Sequence, residues 1–254
     1  QDAPKVDAPK AGPWTPADLL LAERASQWEI SPDGQWAVWV KSQMDKDKNG
    51  TVSNLFLTQL KTKKEIQLTR GTESHGQPKW SPDGALIAFT SSRPLPKPKA
   101  EFARNQLWLI NPAGGEPYPA AELVREIRSY RWAGNDTILF SAQEDPALYE
   151  RETKKKKDAT QVVDDVGHEP PVRLFKLGLK DKKVTRLTDN TDFIESWGAS
   201  EDGRLALTVH QQYLSFEWDN KILPNAYLHV FVKGERTELF AGLRLVPNHI
   251  EWPP

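Results

Sequence analysis

The chain has 254 residues, with 34 Lys and Arg against 35 Asp and Glu and 38% hydrophobic residues. That length and composition fit one large, soluble all-β unit with a core of its own. A formal charge of -1 argues against nucleic acid or an anionic membrane as the main partner, since both recruit a basic excess. The lack of cysteine excludes disulfides, Cys-ligated zinc and thiol catalysis. No apolar run reaches the roughly 18 residues that span a bilayer. Twenty Pro beside 10 Trp suit short strands joined by shaped loops.

In chain order, residues 1–12 (QDAPKVDAPKAG) carry only Val6 as a large apolar group and read as disordered. Such a stretch often follows a removed signal peptide, so the expected location is periplasmic or secreted, with the cytoplasm as the alternative. A short helix is expected within residues 13–26. Thr15 is its N-cap, Pro16 its first residue and Asp18 its capping partner, ahead of Leu19, Leu20 and Leu21. No other helix is expected.

From residue 27 the chain repeats. Ser31-Pro32-Asp33-Gly34 recurs as Ser81-Pro82-Asp83-Gly84, then as the degenerate Ala133-Gly134-Asn135-Asp136, then as Ser200-Glu201-Asp202-Gly203. Each copy precedes a strand-like run: Trp36 to Val40, Leu86 to Thr90, Thr137 to Ser141, Leu205 to Val209. Residues 54–72 (NLFLTQLKTKKEIQLTRGT) align without a gap to residues 173–191 (RLFKLGLKDKKVTRLTDNT). Asp-Gly between apolar runs is a hairpin signal, and four strands every 50 or so residues is the size of a β-propeller blade. The expectation is all-β. Four-stranded blades cover about 27–72, 76–121, 127–190 and 194–243, and a fifth begins near 248, where Trp252-Pro253 stands in the place of Trp80-Ser81-Pro82. The chain stops inside that motif, so it is expected to be part of a longer or cleaved protein of seven or eight blades.

The units WSPDGALIAFTSSR and ISPDGQWAVWV resemble the repeats of TolB-like proteins and of the prolyl oligopeptidase family of serine peptidases. PWTPADLLLAERAS, running straight into the first repeat, is similar to the start of acylaminoacyl-peptidase-like members of that family. The resemblance implies a propeller followed by an α/β-hydrolase domain with a Ser nucleophile on a Gly-x-Ser-x-Gly elbow, then Asp, then His. This chain has no such elbow. It therefore offers no catalytic, cofactor or metal residue, and the implied chemistry lies in a continuation or a second chain. The implied role is to gate short peptide substrates. The alternative is a non-enzymatic, TolB-like propeller that binds proteins, and a homo-oligomer is a further option.

Other candidate groups read as structural. His75, His168, His210, His229 and His249 are scattered, and none has a fixed Ser or Asp partner in sequence. Dipeptidyl-peptidase-IV-like members hold a substrate's amino group with a Glu-Glu pair. Glu195 and Glu201 do not match that segment. Asp45, Asp47 and Asn49 imitate half a calcium loop, but Phe56 stands where a bidentate Glu belongs, so a solvated hairpin is expected. The longest loops, Lys41 to Asn54, Ser91 to Asn105, Gln143 to Pro171 and Gln211 to Pro224, all join second to third strands and share one face. Within the third of them, Lys154 to Lys157 read as a mobile tip.

Overall fold

Every blade starts from its turn. In the first, Ser31 Oγ accepts the Trp36 N–H at 2.9 Å and donates to Asp33 Oδ1 at 2.5 Å, while that same oxygen takes the Gln35 N–H at 3.0 Å. The Ser81 and Ser200 turns repeat these bonds. Gly34, Gly84 and Gly203 close them at φ 68°, 70° and 65°, a region that suits a residue without Cβ. The repeated serine is thus a backbone clamp, committed at both ends.

The computed structural model describes residues 12, 13, 15, 18, 22–45, 49–97, 103–156, 169–212, 222–243, 250 and 252. Blade 1 is β1 (Arg24–Ile30), β2 (Trp36–Asp45), β3 (Gly50–Gln59) and β4 (Glu65–Gln67). Blade 2 is β5 (His75–Trp80), β6 (Ile87–Ser91), β7 (Gln106–Ile110) and β8 (Tyr118–Pro119). Blade 3 is β9 (Ile127–Trp132), β10 (Thr137–Gln143), β11 (Val172–Gly178) and β12 (Val184–Arg186). Blade 4 is β13 (Phe193–Ala199), β14 (Leu205–Gln211), β15 (Asn225–Val230) and β16 (Glu235–Leu239). Within each blade neighbouring strands pair antiparallel.

The gapless alignment of residues 54–72 with 173–191 has a structural counterpart. Thr69 Oγ1 accepts the Leu55 N–H at 2.9 Å, and Thr188 Oγ1 accepts the Leu174 N–H at 3.1 Å. The repeated Leu-Thr pair therefore prolongs the edge pairing where the short fourth strand ends. Parallel bridges Ser53–Ser74 and Val172–Phe193, again at matching positions, tie blade 1 to blade 2 and blade 3 to blade 4.

Alternation along the strands builds the core. Ile87 and Phe89 of β6 pack with Val38, Val40, Leu55 and Leu57 of blade 1. Ala88, between them, packs with Ile138 and Phe140 of blade 3. Leu139 turns the other way, onto Phe193 and Trp197 of blade 4. Both faces of a middle blade are buried, which is why its second strand carries three consecutive apolar residues, Ile87-Ala88-Phe89 in β6 and Ile138-Leu139-Phe140 in β10.

Three expectations are corrected. Arg24, Ala25 and Ser26 belong to β1, paired with Ser42, Lys41 and Val40; their backbone groups go to the β2 ladder, so no helix reaches Ser26. The capping geometry upstream does form: Asp18 Oδ2 accepts the Thr15 N–H at 2.8 Å and the Thr15 hydroxyl at 2.6 Å, while residues 19–21 lie outside the described residues. Lys41 to Asn54 is mostly strand, because β2 and β3 run on to the Asp45–Gly50 pair. A helix the sequence did not suggest, α1 (Leu148–Lys156), lies in the third long loop. Its apolar Leu148 is 77% exposed, so apolar packing does not hold it. Instead Glu150 caps the Ala147 N–H at 2.9 Å and takes Arg125 at 2.6 Å, tying its first turn to the exit of blade 2. Residues 1–11 and 157 lie outside the described residues.

The turns predict a graded mutational response. A Cβ on Gly203 would lie 2.7 Å from Ala133 Cβ, whereas one on Gly34 would meet nothing within 4 Å. Gly34→Ala should cost about 1 kcal/mol for its positive φ alone. Gly203→Ala adds a clash across the blade 3–4 seam and should cost roughly 2 kcal/mol or more. Urea midpoints of the two variants check the order.

Candidate functional site

The first strands of blades 1, 2 and 3 lie side by side, and the first strand of every blade is bulged. Pairing jumps from Ser26–Val40 to Glu29–Val38 in β1, and from Gly76–Thr90 to Lys79–Ala88 in β5. β9 and β13 slip one position earlier, at Arg128 and Glu195. Gln27 and Gln77, at equivalent positions, take φ of 56° and 51°. Such bulges bend a strand and re-aim its side chains.

They open a cavity of about 410 Å³ along the inner wall, lined by the three residues preceding the last in β1, β5 and β9, and by Trp197. The bulged backbone is capped by neighbouring blades. Gln27 Oε1 accepts the Gln77 N–H. The Tyr130 hydroxyl donates to Gln77 C=O and, at 2.8 Å, to Ala88 C=O. Trp80 and Trp132 donate their indole N–H to Glu29 C=O at 3.2 Å and Lys79 C=O at 3.1 Å. Trp197 donates to Ser129 Oγ at 2.8 Å. Burial, and then Glu29 nearby, push the Tyr130 phenol well above its usual range, so it stays a donor.

What faces the cavity is half-buried Glu29, Lys79 and Arg131, with aromatic Trp28, Tyr130 and Trp197. Trp28 is 57% exposed and stacks on Trp39 at 5.0 Å. No histidine lines the cavity, and its Ser129 hydroxyl is engaged by Trp197 and Ser141. Among the described residues the site combines aromatic faces with unlike charges and holds no nucleophile beside a base.

The structure gives two of the histidines partners that the sequence did not show. His210 does have a carboxylate partner: Asp192 Oδ1 lies 2.7 Å from its Nδ1, and its Nε2 lies 2.8 Å from Thr208 Oγ1. Thr208 Oγ1 is also 2.9 Å from His229 Nε2. The order Asp–His–Thr is that of an activated hydroxyl, but Thr208 is 0% exposed, so no substrate reaches it and the network is structural. The signal lay in the alternation of Thr208 and His210 on one face of β14, with Asp192 just before the strand that pairs with it. His75 is the first residue of β5, buried, edge-on to Phe89, with no hydrogen-bond partner at either ring nitrogen among the described residues. His168 and His249 lie outside the described residues.

Of the remaining candidates, Glu195 is the extra residue of the β13 bulge and Glu201 gives its C=O to the Gly134 N–H at 2.9 Å; they do not form a pair. Asp45 ends β2 opposite Gly50, Asn49 turns at φ 47°, and Asp47 lies outside the described residues. Among the described residues no three His, Asp or Glu cluster as metal ligands, and no helix is long and apolar enough to cross a membrane.

No protein-family profile matches the chain. It is 28% identical over 156 residues to YuxL of Bacillus subtilis (strain 168), an uncharacterized peptidase, across 60% of this chain and 22% of that protein. The chain thus spans under a quarter of that relative. The acylaminoacyl peptidase of Pyrococcus horikoshii superposes with a TM-score of 0.56 at 15% identity, over 86% of this chain and 32% of that one. TolB from Acinetobacter baumannii superposes with a TM-score of 0.54 at 13% identity, over 85% and 43%. The chain resembles the propeller part of prolyl oligopeptidase family peptidases. The superpositions show the β-propeller fold, shared by peptidases and TolB alike; the sequence likeness is to a peptidase.

The buried histidines give a pH prediction. Burial first, then Arg93, lowers His75 to about 4 against the pull of Glu73. Burial, then His210 and Arg236, lowers His229 to about 4 against Asp189 and Asp192. Both are neutral in the fold and ionise near 6.5 when unfolded, so the unfolded chain binds more protons between those limits. Stability should be flat above about pH 6.5 and fall by a few kcal/mol on the way to pH 4. Urea midpoints against pH should show that slope, and His75→Phe should remove roughly half of it.

Proposed function

We propose that this chain is the propeller part of an exported serine peptidase that hydrolyses short peptides, and that its inner-wall cavity gates substrate. The observation that carries the reading is the sequence likeness to a peptidase over 156 residues, since the fold alone serves peptidases and TolB equally. The cavity supports it. Its aromatic faces can stack on side chains, and Glu29, Lys79 and Arg131 can meet peptide termini. Its bulged backbone is already capped, so a passing chain finds few free strand-edge groups to pair with. The chemistry would be acyl transfer to a Ser with His as base and a backbone oxyanion hole, all on a hydrolase domain carried by a continuation or second chain.

The test uses both the 254-residue chain and the longer gene product. The chain alone should leave chromogenic acyl-amino-acid and prolyl-peptide substrates untouched. The longer protein should cleave them and be silenced by a serine-directed fluorophosphonate. In that protein Trp197→Ala should raise kcat/KM for longer peptides by about threefold or more, relative to the shortest substrate. Turnover by the purified chain would overturn the assignment. A longer protein that binds a protein partner and cleaves nothing would establish the TolB-like alternative.

A further inference from the structure

The seams between blades are not equally closed on the turn face. Between blades 2 and 3, the Asp83 N–H bonds Asn135 Oδ1 at 3.1 Å. Between blades 3 and 4, the Gly134 N–H bonds Glu201 C=O at 2.9 Å, with Gly203 wedged against Ala133. Between blades 1 and 2, no hydrogen bond joins the two turns among the described residues. Their approach is a 3.7 Å spacing between a Cβ position on Gly84 and Pro32 Cδ. Pro32 has no N–H to offer, and blade 2 places Ser81-Pro82 where blade 3 places Ala133-Gly134, whose glycine donates across its seam.

The first seam therefore opens into a cleft of about 470 Å³. Trp36, Trp80 and buried Leu57 line it, with Ile66 and Pro112. Asp33 and Asp83 line it as well. In each of these carboxylates Oδ1 receives the serine hydroxyl and a backbone N–H. The serine hydroxyl first, and the backbone N–H next, hold both acids below the usual carboxylate range. No Lys, Arg or His makes an ion pair with either acid among the described residues.

We propose that this cleft binds a basic side chain of a peptide, its apolar stem lying along Trp36 and Trp80 and its cation meeting Asp33 and Asp83. The volume is that of a small-ligand pocket. Indole faces attract a cation, and a lysine or arginine stem covers apolar surface while its head stays wet. An uncharged apolar occupant would strip water from two carboxylates without replacing it, and an anion would be repelled. The inference rests on this cleft alone and does not require the peptidase reading.

The test is a titration of the ¹⁵N-labelled chain, followed at the indole N–H resonances of Trp36 and Trp80. Acetyl-Phe-Lys-amide should shift both and bind about tenfold more tightly than acetyl-Phe-norleucine-amide, which has the same stem without the charge. 3-Phenylpropylamine separates a free amine from a peptide-borne one; it should bind more weakly than the lysine peptide. Asn can keep the turn bonds of Asp, so the double variant Asp33→Asn, Asp83→Asn should keep the spectrum and lose the preference for lysine. Equal binding of the two peptides, shifts at Trp28 and Trp197 instead, a preference that survives in the double variant, or tighter binding of the free amine would each overturn the proposal. So would indole shifts that follow protein concentration without ligand, which would mean that a second copy fills the cleft.

Discussion

The structure depends on side-chain donors that cross from one blade to the inner backbone of the one before it. Trp80, Tyr130 and Trp132 each do this, and Trp197 crosses in the same way to a side chain, Ser129 Oγ. A blade alone is a twisted four-stranded sheet with two apolar faces and cannot be stable in water. Burying those faces supplies the energy, but apolar contact has no direction. The indole and phenol bonds set how far one inner strand sits from the next. They also end on backbone carbonyls of Glu29, Gln77, Lys79 and Ala88, groups that would be costly to bury bare. The axial cavity is what remains of the inner wall after that capping.

Trp252 continues the pattern at the far side of blade 4. A Cβ on Gly198 would lie 3.2 Å from the Trp252 backbone N and 3.5 Å from its Cβ. Gly198 stands one residue before the end of β13, as Glu29 does in β1 and Lys79 in β5. The glycine makes room for a close backbone approach. On the other side Trp28 has no blade before it among the described residues, and its ring is 57% exposed where the equivalent Tyr130 is 1%.

The blades were legible in the sequence because their determinants are local. Ser31, Asp33 and Gly34 make a turn with bonds spanning at most five residues, and the Leu68-Thr69 pair closes its strand within one blade. Repetition then turned a weak local signal into a strong one. α1 was illegible for the opposite reason. Nine residues with no buried apolar stripe do not hold a helix by themselves, and the group that holds this one, Arg125, lies 25 positions away. The alternation of Thr208 and His210 hints at a shared face, but the Asp192–His210 pair forms only when β13 lies beside β14 in one particular register. The cavity depends on bulges, and a bulge leaves no mark in an apolar pattern until the partner strand is known.

The two candidate binding surfaces follow from one asymmetry in the repeat. On the inner wall the blades contribute equivalent positions whose side chains differ: Glu29, Lys79 and Arg131, then a glycine. A ring of equivalent positions carrying unlike charges can read a ligand's polarity without any change in the scaffold. On the turn face the geometry itself varies. Degenerating the motif from Ser-Pro-Asp-Gly to Ala-Gly-Asn-Asp in blade 3 creates the Gly134 N–H and Asn135 Oδ1 that close two seams. Where two intact copies meet, each keeps its Asp for its own turn and neither offers a bond across. The more faithful the repeat, the more open the seam, and the cleft between blades 1 and 2 is where the two most faithful copies lie together.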